Sequence, residues 1–277
     1  MAVAATGQLG WPTDKRERDI VHKIAVSGKG GVGKTTLASL LAYLLAETGQ
    51  TVYAIDADPN PTLAQALGFP PERVAQLSPI VAMEDLIAER TGARPGEVGG
   101  YFTLNPRVDD IPARFSVEHR GIHLMQMGTI RGPGMGCACP ENTMLRALVT
   151  HLLLREPETV IMDMVAGLEH LGRGTAAAVD VMAVVTEPGQ RGVMVARDIV
   201  NLARGLGIPR LWVVGNKVRS ERDRAYLSDN LGDVGLAGML SFDEDAIEAD
   251  MRGAAVYDVA PQLRAEARAA AEVMGLL

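Results

Sequence analysis

Apolar residues in this chain come in short unbroken runs, each closed by glycine or by an acidic residue and followed by a stretch with helical spacing. Ile24-Ala25-Val26 runs into Ser27-Gly28-Lys29-Gly30-Gly31-Val32-Gly33, and Leu37-Ala38-Ser39-Leu40-Leu41-Ala42 then resumes with helix periodicity. A short apolar run bounded by turn residues predicts a strand buried on both faces. The same reading predicts strands over 51–56, 122–127, 159–163, 179–186, 211–215 and 236–240. Helices are expected over 83–90, from Met144 onward, over 189–206, after Arg219 and over 261–277. Strands that alternate with helices predict an α/β protein of three layers, a mostly parallel sheet with helices on both faces. Between 62 and 120 the pattern loosens: a loop is expected over 92–100, an edge strand over 101–104 and a polar, proline-interrupted segment over 105–120. Residues 1–20 show no periodicity and read as an extension ahead of one domain formed by 21–277.

Composition narrows the class. With 47% apolar residues but only 4% aromatics, the core should be aliphatic. A net charge of −7 argues against broad contact with nucleic acid, which relies on many lysines and arginines. No apolar run reaches the ~18–20 residues that span a bilayer, so no membrane partner is expected. The first residues lack the basic start and apolar stretch of a secretory signal, and two cysteines make no disulfide framework. A cytoplasmic protein is expected.

The chemistry concentrates after the first strand. Gly28, four residues, then Gly33-Lys34-Thr35 satisfies the phosphate-loop pattern in its strand-to-helix context. The backbone from Gly28 through Lys29, Gly30, Gly31, Val32 and Gly33 to Thr35 and Thr36 can turn its N–H groups toward a phosphate at the positive end of a helix. Lys34 supplies a point charge for the terminal phosphates of a nucleotide, and the Thr35 hydroxyl can ligate Mg²⁺. A P-loop NTPase fold follows. Asp56-Ala57-Asp58-Pro59 closes the second strand, where carboxylates face the ligand crevice of a parallel sheet. Asp163 closes the 159–163 strand as a Walker B aspartate would, near the magnesium shell. Cys137 and Cys139, the only two cysteines, flank Ala138 in a glycine-rich loop beside a helix start, a setting that favours thiolate.

Lys29-Gly30-Gly31-Val32-Gly33-Lys34-Thr35-Thr36 resembles the deviant Walker A signature of the MinD/ParA/nitrogenase-iron-protein class of ATPases. The resemblance implies that Lys29 reaches across a homodimer interface to the partner's nucleotide, so that ATP closes the dimer. It implies that Asp58 positions the attacking water, that Asp56 touches magnesium-bound water, and that the Gly167 backbone senses the γ-phosphate. Asn216-Lys217 matches the pair that reads the adenine edge, and Glu187-Pro188 stands where family members place dimer or nucleotide contacts. Within that class, Asp-Ala-Asp-Pro, Cys-x-Cys-Pro-Glu-Asn and the run from Met162 to Ala176 resemble the ATPases that mature nickel-containing carbon monoxide dehydrogenase. A related factor for acetyl-CoA synthase shares these motifs. Two thiolates from each chain of a closed dimer would make four, the usual count of a closed site, able to take Ni²⁺ or Zn²⁺. The partners implied are a second copy and the apo-enzyme. A regulatory ATPase switch with incidental cysteines, and an iron–sulfur carrier, stay open as other readings.

Overall fold

A computed structural model describes residues 22–96, 101–128, 139–154, 158–165, 176 and 178–277. Its frame is one eight-stranded sheet: β1 (Lys23–Gly28), β2 (Val52–Asp56), β3 (Val117–His119), β4 (Ile122–Gln126), β5 (Thr159–Asp163), β6 (Val181–Thr186), β7 (Arg210–Val218) and β8 (Leu236–Ser241). The strand order is β3-β4-β2-β5-β1-β6-β7-β8, parallel throughout except for the antiparallel edge pair β3–β4. Every residue of β1, β2, β5 and β6 is buried, as strands covered by helices on both faces must be.

The helices long enough to cover the sheet are α1 (Lys34–Ala46), α2 (Glu84–Thr91), α3 (Cys139–Leu154), α4 (Gln190–Gly205), α5 (Glu221–Leu231), α6 (Glu244–Arg252) and α7 (Pro261–Val273). Period-two alternation divides the core into two layers. Ile24, Val26, Ala54 and Ile161 pack beneath α1 and α7, whereas Ala25, Ile55, Val160 and Met162 pack beneath α3 and α4. Because α7 and the short helix Val256–Val259 lie over α1, that helix is buried nearly all round, and its sequence is correspondingly apolar on every side. The aliphatic core anticipated from composition is present in both layers.

The expected strands and long helices are present, with two corrections. First, α3 begins at Cys139, ahead of the expected start at Met144, so Cys139 stands in the helix and not in the loop before it. Second, the edge strand lies elsewhere. Residues 101–104 form no strand: Tyr101 is fully exposed, and Thr103 donates its N–H to the Thr91 carbonyl instead of to a sheet. The edge strand is Val117–His119, inside the segment that reads as polar and irregular. Three residues, of which only Val117 is buried, carry too little alternation to stand out. Among the described residues no helix is long and apolar enough to cross a membrane.

Chain direction reverses around β1: the chain moves outward through β2 and β4, returns to β5 on one side of β1, then continues to β6 on the other. The crevice beyond the carboxyl ends of β1, β2, β5 and β6 is thus where this class of sheet accepts ligands. Leu41 of α1 is completely buried against that central strand layer. Leu41→Ala should lower unfolding free energy by about 2–5 kcal/mol in urea denaturation, the cost of a cavity plus lost transfer energy.

Candidate functional site

The loop leaving β1 needs glycine at two places for different reasons. Gly28 has φ +149°, and a side chain there would run into the Val185 carbonyl of the neighbouring strand. Gly33 has φ +94° at the cap of α1, and a side chain there would meet the Asn216 amide. The loop therefore enters the α1 N-terminus tightly, with the helix's unpaired N–H groups facing the crevice. Lys34, the first residue of α1, is buried.

Three acidic residues approach this loop from adjoining strands. Asp56 and Asp163 are direct register partners across β2 and β5, so their carboxylates leave the sheet side by side. Both are 1% exposed. Thr35 donates its hydroxyl to Asp163 Oδ2 at 2.6 Å, while Asp163 Oδ1 is buried without a hydrogen-bond partner among the described residues. Asp56 is tied by backbone donors: Leu63 N at 2.9 Å to Oδ2 and Asp58 N at 3.2 Å to Oδ1. Asp58 accepts from Asn60 N at 2.9 Å and stands in the turn after β2. Burial pushes the Asp163 carboxyl up to about 7; the Thr35 bond and the Lys34 charge oppose the rise, and the Asp56 charge adds to it. Burial likewise lifts Asp56 to about 6, against the pull of the backbone donors of Leu63, Asp58 and Thr62.

This donor set fits a hard divalent cation. An orphaned buried carboxylate oxygen beside a threonine hydroxyl offers the oxygen ligands that Mg²⁺ takes along with phosphate and water. Thr62, which no sequence motif singles out, completes the wall with its hydroxyl 3.4 Å from that of Thr35. A cavity of about 370 Å³ continues from Thr35 and Thr36 past Asn216 to Phe242, Ile247 and Val256. Its volume lies in the range of small-ligand sites, and it shares its floor with the phosphate loop. A larger cavity of about 870 Å³ between residues 104–109 and α3 touches none of these groups.

Other residues singled out by sequence fall as follows. Lys29 is about 42% exposed, with Nζ 4.0 Å from Glu187 Oε1, so Glu187 faces the loop lysine within the same chain. Asn216 and Lys217 reach the loop through their side chains, Nδ2 donating to the Val32 carbonyl at 2.8 Å and Nζ to the Gly31 carbonyl at 2.6 Å. Cys139 begins α3; Cys137 and Gly167 lie outside the described residues. Among the described residues no group of three or more histidine, cysteine or acidic side chains could hold a metal ion. The far wall of the cavity, Phe242 to Asp250, escapes motif reading because it is assembled from the turn after β8 and one side of α6.

A glycine loop on a buried central strand, a helix N-terminus above it and a threonine–aspartate pair beside it define a P-loop nucleotide hydrolase. The family model for the CobQ/CobB/MinD/ParA nucleotide binding domain matches residues 23–256, and the chain belongs to that family. It is 47% identical over 247 residues to the carbon monoxide dehydrogenase accessory protein CooC of Rhodospirillum rubrum, covering 89% of this chain and 94% of that one. It is 44% identical to an ATP-binding protein of Methanocaldococcus jannaschii, over 83% of this chain and 89% of that one. In fold it matches MinD in the MinC:MinD cell division complex of Aquifex aeolicus, with a TM-score of 0.66, 19% identity, and coverage of 92% of this chain and 96% of that one. The protein is an ATPase.

Two outcomes follow from the carboxylate geometry. Lys34→Ala should lower ATP turnover on the order of 10²–10³-fold in a steady-state phosphate-release assay, as expected when a donor to developing phosphate charge is removed. Asp163→Asn should raise stability without nucleotide or magnesium. A carboxyl whose folded pKa stands above its unfolded value binds more protons in the native state, so stability falls as pH rises from about 4 toward about 7. Removing that charge should raise the unfolding free energy at pH 8 on the order of 1–3 kcal/mol, while magnesium-dependent turnover is lost.

Proposed function

We propose that this ATPase matures nickel-containing carbon monoxide dehydrogenase, dimerising around nucleotide and carrying nickel on Cys137 and Cys139. The observation that carries the reading is the 47% identity with CooC, the carbon monoxide dehydrogenase accessory protein, over nearly the full length of that relative. Residues 21–277 act as one ATPase unit behind the 1–20 extension.

Each part of the site has a place in this reading. The loop from Gly28 to Thr36, with Lys34, binds the phosphates of ATP. Thr35 and Asp163 would hold Mg²⁺, with Asp56 behind its water shell, and the ion would supply charge neutralisation for the phosphates of ATP. Asp58, in the turn beyond Asp56, orients the attacking water by accepting its hydrogen bond. The Gly167 backbone responds to the γ-phosphate. Asn216 presents its amide to the adenine edge from the floor of the 370 Å³ cavity. Lys29 belongs to a deviant Walker A loop. Half-exposed and only 4.0 Å from Glu187, it can leave that pairing for the nucleotide of a second copy at little cost, because exposed ion pairs are weak. Closing two copies brings together two Cys-x-Cys pairs, the four thiolates that Ni²⁺ or Zn²⁺ requires. Hydrolysis separates the copies and frees nickel for the apo-enzyme. Acetyl-CoA synthase is the alternative client, since a related maturation factor for that enzyme shares these motifs.

Replacing both Cys137 and Cys139 with alanine tests the cargo. The doubly substituted protein should keep ATP turnover within about threefold of the parent while losing nickel in equilibrium dialysis. Undiminished nickel binding would refute the thiolate site. Dimerisation and turnover in a parent protein that binds no nickel would leave a nucleotide-controlled regulatory switch. Visible absorption from a thiolate-bound cluster after reconstitution with iron and sulfide would favour iron–sulfur transfer instead.

A further inference from the structure

The carboxyl end of β7 carries a feature that base recognition leaves unexplained. The register of β7 against β8 slips between Gly215 and Val218, and Lys217 sits in this irregularity with φ +56°. Among the described residues only Lys217 and Arg120 are non-glycine residues with positive φ. A glycine would adopt this conformation freely, whereas a side chain there crowds the backbone. What the lysine gains is direction: its ammonium donates to the Gly31 carbonyl at 2.6 Å, and the adjoining Asn216 donates to the Val32 carbonyl at 2.8 Å. Two consecutive carbonyls of the phosphate loop are thus held from one strand end.

Planar peptides carry this restraint to the other side of the loop. The Gly31 carbonyl shares its peptide with the Val32 N–H, which closes the turn onto the Lys29 carbonyl at 3.4 Å. The Val32 carbonyl shares its peptide with the N–H of Gly33, the cap of α1. Holding these carbonyls therefore sets both the turn that carries Lys29 and the N–H at the mouth of the helix. We infer that Lys217 is a positioning residue for the phosphate loop, not a reader of the nucleobase: with Asn216 it keeps the 29–33 backbone in its anion-binding shape before nucleotide arrives. The inference rests on ATP occupying this loop and is independent of the metal cargo.

Lys217→Gly removes the side chain while keeping a residue suited to the backbone, and Lys217→Arg keeps a long cationic donor. Hydrogen exchange of the nucleotide-free protein should show faster exchange across 28–36 in Lys217→Gly, on the order of tenfold, with other segments unchanged and protection largely restored in Lys217→Arg. ATP and GTP affinities, measured by calorimetry with magnesium, should fall by a common factor in Lys217→Gly, leaving their ratio as in the parent. Unchanged protection over 28–36, or a collapse of the ATP-to-GTP ratio, would overturn the positioning role. Failure of the parent protein to bind ATP at all would refute the nucleotide site itself, a result distinct from either.

Discussion

The hydrogen bond from Thr35 to Asp163 is the junction on which the site depends. It joins the first turn of α1 to the carboxyl end of β5, and it does so with a carboxylate removed from water. A buried carboxylate next to a second one on the adjoining strand is unfavourable without a counter-charge. Raised proton affinity at Asp163 and Asp56 is the signature of that frustration. On the proposed reading, a divalent cation bound with the phosphates of ATP offsets this cost. Ligand binding and local stability are thereby linked, as expected where a fold holds strain at a functional site.

Backbone bonds extend this junction toward the segment that carries the cysteines. The Ala57 N–H donates to the Asp163 carbonyl, and the Met127 N–H donates to the Asp56 carbonyl, so the ends of β5, β2 and β4 are fastened in sequence. Met127 immediately precedes the chain that leads to Cys137 and Cys139, and the helix starting at Cys139 packs Met144, Leu145 and Leu148 into the same core layer as Met162. On the proposed reading, a rearrangement of Asp56 and Asp163 around the nucleotide reaches the thiols through packed strands and one helix.

Much of this is legible in the sequence because buried parallel strands are written as unbroken apolar runs. Ile24-Ala25-Val26 and 159–163 are unambiguous for that reason, and the glycines at 28 and 33 are demanded by a close carbonyl and a close amide. The edge strand Val117–His119 was not legible, since one buried residue in three makes no pattern. Thr62 and the wall from Phe242 to Asp250 were hidden for another reason: their role arises from tertiary proximity. Lys217 was found by motif, but its bond to the Gly31 carbonyl depends on an irregular strand end that sequence does not announce.

Mass and nickel content of the same sample offer the most direct measurement. The protein, supplied with nickel and magnesium, would be taken to sedimentation equilibrium with a non-hydrolysable ATP analogue and, separately, with ADP. A dimer with about one nickel per two chains under the analogue, and monomers that have released nickel under ADP, is the outcome expected of a nucleotide-assembled thiolate site. Nickel held at one per chain by monomers, whichever nucleotide is present, would contradict it.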